Sequence, residues 1–403
     1  MKSYSPYQFS IFRIILGLYL CFRFVYLIPY APEIWSNQGL FPDPALNLTY
    51  GIFPNILYVL DSPLEVRIFV GLMSFLSFCF LIGFQRPVIS LLLWYGWVCL
   101  FDRNNLISNP GIPYIGWILL CCVVIPKGEP LSITKPKTAM RWEMPLLIFV
   151  GAWVLMSLGY TISGIDKYQA PSWRNGSAIF HLLENPLARD WWLRDFMVQL
   201  PESVLKINTW LVLALEIIFL PLALFKATRK WIWLGMICMH LGIMMIVDFT
   251  DLTLGMLMIH WFSFDSRWLG AKTKHSGIVF FDGVCGICNG FVNFMISEDP
   301  KETLRYSPLQ GETAKAKLAA EEVENISSII YLEGDTVYRE SDAVLKALSS
   351  LGGIWRLFIV FKIIPRLIRD KIYRFIASNR YKWFGKKEAC RIPTPEERAK
   401  FLD

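Results

Sequence analysis

The chain has 403 residues, of which 54% are hydrophobic and 18% charged, with a formal net charge of +7. That apolar excess is too large for a soluble globular protein of this length. No stretch has nucleotide-binding or phosphate-loop spacing, and no nucleic-acid partner is expected.

From Phe9 to Phe264 the apolar residues collect in eight runs, at 11–28, 66–82, 88–101, 112–125, 144–162, 205–225, 231–247 and 252–264. Crossing a bilayer takes about 18 to 20 apolar residues. Several runs reach that length, while the third, fourth and last are short and need tilt or interfacial extension. The pattern predicts a polytopic α-helical membrane domain of about eight spans over residues 1–268. The first run is longer than a signal-peptide core, carries Arg13 and Arg23, and lacks a small-x-small cleavage site, so it is expected to be a retained helix. Lys127, Lys135, Lys137 and Arg141 follow the fourth run, Lys226, Arg229 and Lys230 the sixth, and Arg267, Lys272 and Lys274 the eighth. The opposite loops carry Glu33, Asp43, Asp61, Asp248 and Asp251. Basic loops are retained in the cytoplasm, so a multi-pass cell-membrane protein with both termini cytoplasmic is expected.

Arg13, Arg23, Glu216 and His240 fall inside apolar runs, where facing lipid is costly, and are expected to face an internal polar cavity. Lys167 lies at the end of the fifth run, in YTISGIDKYQAPSW at 160–173. One reading has it snorkel to the interface or pair with Asp166. Together with WSNQGL at 35–40 and RIILG at 13–17, however, this block resembles the HTTM domain related to vitamin K-dependent gamma-carboxylase. The resemblance implies that Lys167 occupies the place of the lysine that deprotonates reduced quinone. A quinone is then the candidate ligand of the membrane half, and a carboxylase-like reaction on a quinone or lipid is the alternative function. The carboxylase's substrate-recognising extramembrane domains have no counterpart here.

Composition shifts after Trp268, and residues 269–276 read as a polar linker before a domain at 277–403. The predicted order is strand 277–281, helix 286–297, strand 303–306, helix 312–322, a hairpin pairing 327–333 with 336–339, then helices, the first over 343–351 with Ser341-Asp342 at its start. This alternation indicates a small α/β domain of thioredoxin-like type. Its first turn carries Cys285 and Cys288. Two cysteines three apart at a helix start share one face, and the amide groups and positive dipole end there stabilise negative charge on an exposed first sulfur. Nine cysteines would give this spacing by chance about 0.2 times, so its setting between a strand and a helix carries the argument. A zinc half-site would need two further ligands, and neither a second C-x-x-C nor a histidine nearer than His275 supplies them.

The blocks DGVCGIC at 282–288, LRYSPLQ at 304–310, YRESDA at 338–343, IPRLIRD at 364–370 and NRYKWFG at 379–385, followed by Cys390, resemble the DCC family of thiol-disulfide oxidoreductases. The resemblance implies a protein-disulfide reductase type of activity, with Cys285 as attacking thiolate and Cys288 as resolving thiol. Such exchange requires no cofactor, and its partner is a disulfide-containing protein or a small thiol. Asp282 is either a turn residue or a group that tunes the thiols. Cys390 is either a buried structural cysteine or a third redox thiol. No proline immediately precedes the hairpin strand at 327–331, a departure from thioredoxins. The basic run 366–387 has Ile364, Leu367, Ile368, Ile372 and Phe375 at helical spacing. It reads either as a packed helix with a solvated face or as a basic face toward anionic lipid.

Overall fold

The computed structural model describes residues 4–47, 49–134, 142–269, 277–299, 302–324, 329–386, 393 and 397–403. The chain forms two compact units, Met1–Phe264 and Asp265–Asp403. Most of the predicted linker at 269–276 lies outside the described residues.

The first unit is helical, built from α1 (Pro6–Leu27), α2 (Pro63–Leu81), α3 (Arg86–Arg103), α4 (Gly111–Val124), α5 (Leu146–Gln169), α6 (Glu202–Ile217), α7 (Phe219–Leu224), α8 (Lys226–Ile246) and α9 (Thr250–Ser263), with shorter helices between them. Local chemistry starts the long ones: the Ser5 hydroxyl accepts from Gln8 N at 3.0 Å before Pro6, and Ser62 with Glu65 makes a reciprocal capping box. Among the described residues, α1, α2 and α5 are long and apolar enough to cross a membrane. The expectation of eight spans is corrected on this count. At 1.5 Å per residue the 14-residue α4 and α9 extend only about 21 Å. The sixth run breaks at Ile218 into α6 and the six-residue α7. Arg86, Asp102 and Arg103 lie within α3, and α8 opens on Lys226, Arg229 and Lys230.

The in-run polar residues find partners among neighbouring side chains and carbonyls, although Arg13 Nε and His240 Nδ1 have no hydrogen-bond partner among the described residues. Arg13 is fully buried and donates to the carbonyls of Phe80, Leu81 and Leu131. Arg23 pairs with Asp251. His240 Nε2 lies 2.6 Å from the Tyr160 hydroxyl. Buried polar groups partnered in this way cost the fold far less than they would in lipid.

The second unit contains β1 (Gly277–Phe281), α10 (Gly286–Glu298), β2 (Leu304–Pro308), α11 (Glu312–Lys317), α12 (Ala320–Glu324), β3 (Ile330–Glu333), β4 (Thr336–Arg339), α13 (Glu340–Ser350), a 3-10 segment (Gly353–Ile363) and α14 (Arg366–Phe384). Its mixed sheet has the order β2-β1-β3-β4, with β1 parallel to β2 and the other two pairings antiparallel. Phe280 and Ile330 pack on one face with Leu309, Ala314 and Leu318 of the α11 region. Tyr331 points to the other face, where α13 packs on β3 and β4. The single helix expected at 312–322 is two, interrupted at Leu318 and Ala319.

Two further expectations are corrected here. Ser341 does not cap α13, which already begins at Glu340; its hydroxyl instead donates to Asp370 Oδ1 at 2.5 Å and accepts from Arg369 at 2.8 Å. In addition, α14 is inverted relative to its apolar spacing. Asp370 is buried, while Leu367, Ile368, Ile372 and Phe375 are exposed. Arg369 and Asp370 turn inward because they have partners there, Asp342 and Ser341, while Arg366 and Arg374 stay exposed and pair with Asp342, Asp370 and Glu340 from the edge of the helix.

Burial alone would raise the Asp370 pKa, but hydrogen bonds from Ser341 and Arg366, with the Arg366 charge, outweigh it and hold the pKa below the usual carboxylate range. A depressed native pKa stabilises the fold above the unfolded value of about 4, and that contribution disappears as pH falls through the native pKa. Asp370→Ala is therefore expected to cost about 2 kcal/mol at pH 7 in chemical unfolding, and the gap between the two proteins to close as the medium is acidified below about pH 4. A gap that stays constant over that range would show that the carboxylate contributes nothing.

Candidate active site

The chain leaves β1 at Phe281, turns through Asp282 to Val284, and enters α10 with Cys285 as its N-cap residue. Asp282 shapes this turn twice: its carbonyl accepts from Cys285 N at 3.2 Å and its Oδ1 from Val284 N at 3.2 Å. Asn289, the residue after Cys288, donates from Nδ2 to the carbonyls of both Gly283 and Cys285 at 2.8 Å. Gln310, just beyond β2, accepts from Gly283 N at 3.2 Å and donates to Asp282 Oδ1 at 3.0 Å. The far oxygen of Asp282 accepts from the Tyr381 hydroxyl at 2.5 Å and from Arg380 at 3.4 Å. Asp282, 3% exposed, thus ties the C-x-x-C turn to the end of β2 and to α14.

Cys285 caps α10 and Cys288 lies in its first turn, close enough for the charge of one to act on the other. Burial first, then the neighbouring Cys285 and the charge of Asp282, push the Cys288 thiol well above its ordinary pKa, with Arg380 acting in the opposite direction. Cys288 is therefore a protonated thiol at neutral pH. The expectation of an exposed first cysteine is corrected, since Cys285 is 0% exposed and Cys288 9%. The residues after α14 cover it. Cys285 forms an isolated antiparallel bridge with Lys386, and Gly286 N donates to the Gly385 carbonyl at 3.2 Å. This strap passes so closely that a Cβ at Gly286 would stand 2.0 Å from the Phe384 carbonyl oxygen. Gly385 itself has φ 78°, a conformation that suits glycine.

Beside Cys288 lies a cavity of about 250 Å³. Its walls include Ile287 and Phe291 of α10 and Tyr373, Ile376 and Ala377 of α14, with Asp282 and Arg380 among its few polar residues. Burial pushes the Tyr373 phenol up to about 12, so it is neutral here, and its oxygen accepts from Ile329 N at 2.8 Å.

The family model of the DCC1-like thiol-disulfide oxidoreductases matches residues 279–386. The uncharacterized protein YuxK of Bacillus subtilis (strain 168) is 42% identical over 127 residues, which are 31% of this chain and 93% of that protein. A chloroplastic DCC family protein of Arabidopsis thaliana is 35% identical over 118 residues, 28% of this chain and 69% of its own length. The chain belongs to the DCC1-like family. No solved structure matches it. Membership of this family supports a redox function.

Within the DCC1-like domain, the sequence blocks that carry the resemblance converge on one place. DGVCGIC supplies the thiols and Asp282, the Leu-Gln end of LRYSPLQ supplies Gln310, and NRYKWFG supplies Arg380, Tyr381 and the strap. Gln310, Asn289, Arg380 and Tyr381 were not candidates from sequence. Their presence in or beside recognisable blocks was the available signal, but contacts across 28 and 99 residues have no local signature. Cys390 lies outside the described residues.

In the helical unit, Lys167 donates to Glu216 Oε1 and Oε2 at 2.5 and 2.6 Å and to Ser163 Oγ at 3.2 Å, and stands 5.3 Å from the Trp173 ring centre. Its carboxylate partner is therefore Glu216, which is 4% exposed. Asp166 does not take that role. The sequence reading missed this pairing because Lys167 and Glu216 are 49 residues apart.

Proposed function

We propose that this chain is a membrane-bound thiol-disulfide oxidoreductase of protein-disulfide reductase type, using Cys285 and Cys288 on the cytoplasmic side. The observation that carries this reading is the pair of buried thiols at the start of α10, anchored through Asp282 by Gln310, Arg380 and Tyr381. In the forward direction the Cys285 thiolate attacks one sulfur of a substrate disulfide, forming a mixed disulfide and expelling the other sulfur as a thiolate. The Cys288 thiol then loses its proton and attacks the Cys285 sulfur, releasing the second substrate thiolate and leaving the Cys285–Cys288 disulfide. Two electrons pass to the substrate, and an external thiol reductant restores the pair. Arg380, close enough to lower the Cys288 pKa, supports that second deprotonation.

The parallel β1–β2 pair followed by an antiparallel hairpin supports a thioredoxin-like fold. The basic residues Arg267, Lys272 and Lys274 just before the domain support the cytoplasmic side. Three helices apolar enough to cross a bilayer support membrane attachment. The test is reduction of a model disulfide by the full chain with a thiol reductant in excess, and turnover unchanged by Cys285→Ser overturns the assignment.

A second reading rests on the Lys167–Glu216 pair, a half-buried lysine on a buried carboxylate, charge of the kind that marks functional sites among apolar helices. Here the helical unit is HTTM-like and acts on a quinone or lipid through Lys167, with the redox domain supplying electrons. Lys167→Ala is expected to leave disulfide reduction intact while an unreacted lipid or quinone accumulates in the membrane. A lipid extract identical to that of the unmodified protein counts against it.

A further inference from the structure

The inverted helix α14 leaves its outer face uncovered by the described residues of its own unit. Leu367 is 87% exposed, Phe375 61% and Ile372 56%, and Ile363, at the end of the 3-10 segment, is 81% exposed. Single exposed apolar residues are ordinary, but a run of large ones along one helix face marks an interaction surface. At 100° per residue, Lys371 and Lys382 lie on that same face between the apolar side chains, and Lys362 precedes it. All three lysines are exposed and lack a carboxylate partner among the described residues. Between residues 357 and 386 the sequence holds one acidic residue, Asp370, and it is turned inward and buried.

We propose that the outer face of α14, with Ile363, is an interfacial element that seats on an anionic lipid surface. Apolar side chains interleaved with lysines, with Trp383 at one end and no exposed acid, match the chemistry of a bilayer interface: an apolar boundary below a layer of negative headgroups. A single helix of this kind binds weakly when free. In a chain that also carries bilayer-crossing helices, the surface is held at high effective concentration, so a weak contact is enough to be populated. This step rests on the membrane-bound reading above. Its consequence is geometric. The inner face of the same helix provides Tyr373, Ala377 and Arg380 to the cavity beside Cys288, which places the dithiol about one helix diameter, roughly 10 Å, from lipid.

The experiment uses the full chain in nanodiscs, with a benzophenone amino acid in place of Leu367, of Phe375, or of Glu321 on α12 as a control away from this face. After irradiation, mass spectrometry is expected to find lipid adducts at 367 and 375 in nanodiscs containing phosphatidylglycerol and few at 321. Changing Lys362, Lys371 and Lys382 together to Gln is expected to reduce the adducts to the level seen with phosphatidylcholine alone. Adducts at 367 only to protein, whether the helical unit or a second copy, overturn the proposal, as do equal lipid yields at all three positions. Retention of the chain in nanodiscs is read separately. A chain that does not co-purify with lipid overturns the membrane reading, whereas a retained chain without lipid adducts at 367 overturns the docking alone.

Discussion

Cys285→Ser is expected to abolish disulfide reduction, and Cys288→Ser to stop it one step later with the substrate held covalently. The two thiols share the first turn of α10, so removing either removes a different half of the exchange. A serine hydroxyl in the place of Cys285 is not a nucleophile toward sulfur at neutral pH, and without the first attack the mixed disulfide never forms. A serine in the place of Cys288 leaves that attack possible but cannot displace the bound thiol. The substrate then leaves only when an external thiol reaches Cys285, which the strap over it opposes. The raised pKa of Cys288 adds a pH dependence. The resolving step accelerates as pH rises toward that pKa, so in the unmodified protein the mixed disulfide is expected to live longer at pH 6 than at pH 8. Mass spectrometry of acid-quenched Cys288→Ser should show one substrate thiol on the tryptic peptide that contains Cys285. A trapped species on the Cys288 side of a Cys285→Ser protein, with turnover retained, would reverse the roles of the two cysteines.

Those parts of the structure set by local pattern were legible in the sequence. The helical character of the first half follows from its long apolar runs, and β1, α10, β2 and the hairpin follow from period and turn residues. The number of helices long and apolar enough to cross a membrane was not legible, because hydropathy does not show that the run at 205–225 breaks at Ile218. The orientation of α14 failed for a more instructive reason. Apolar spacing normally marks the buried face, but in α14 the pairing of Arg369 with Asp342 and of Asp370 with Ser341 turns a polar edge inward. The burial of Cys285 was equally hidden. The first cysteine of a strand-turn-helix C-x-x-C reads as exposed, and nothing near Cys285 in sequence reveals that residues a hundred positions later return to cover it. Asp282 shows the limit from the other side: its turn role was legible, and its partners Gln310, Arg380 and Tyr381 were not.

The strap makes a second large effect predictable, with opposite signs for stability and reactivity. In Gly286→Ala the new methyl would stand 2.0 Å from the Phe384 carbonyl oxygen and 3.1 Å from its carbon. Both are backbone atoms, so no side-chain rotation relieves the clash, and the residues after α14 must shift away from α10. Overpacking of this kind costs about 1–3 kcal/mol. Because the cost falls on the strapped arrangement and not on the sheet or on α10, it raises the population with Cys285 uncovered by about 5- to 150-fold. Alkylation of Cys285 by iodoacetamide in the full chain should accelerate within that range while the melting temperature falls. Gly290→Ala on the same helix is the control. A Cβ there meets nothing within 4 Å, and alanine is favoured over glycine in a helix by about 1 kcal/mol, so stability should hold or rise with the alkylation rate unchanged. If Gly286→Ala alkylates no faster than the unmodified protein, the strap does not guard the thiol. If it alkylates faster and also reduces the model disulfide faster, movement of Phe384, Gly385 and Lys386 limits access of substrate to Cys285.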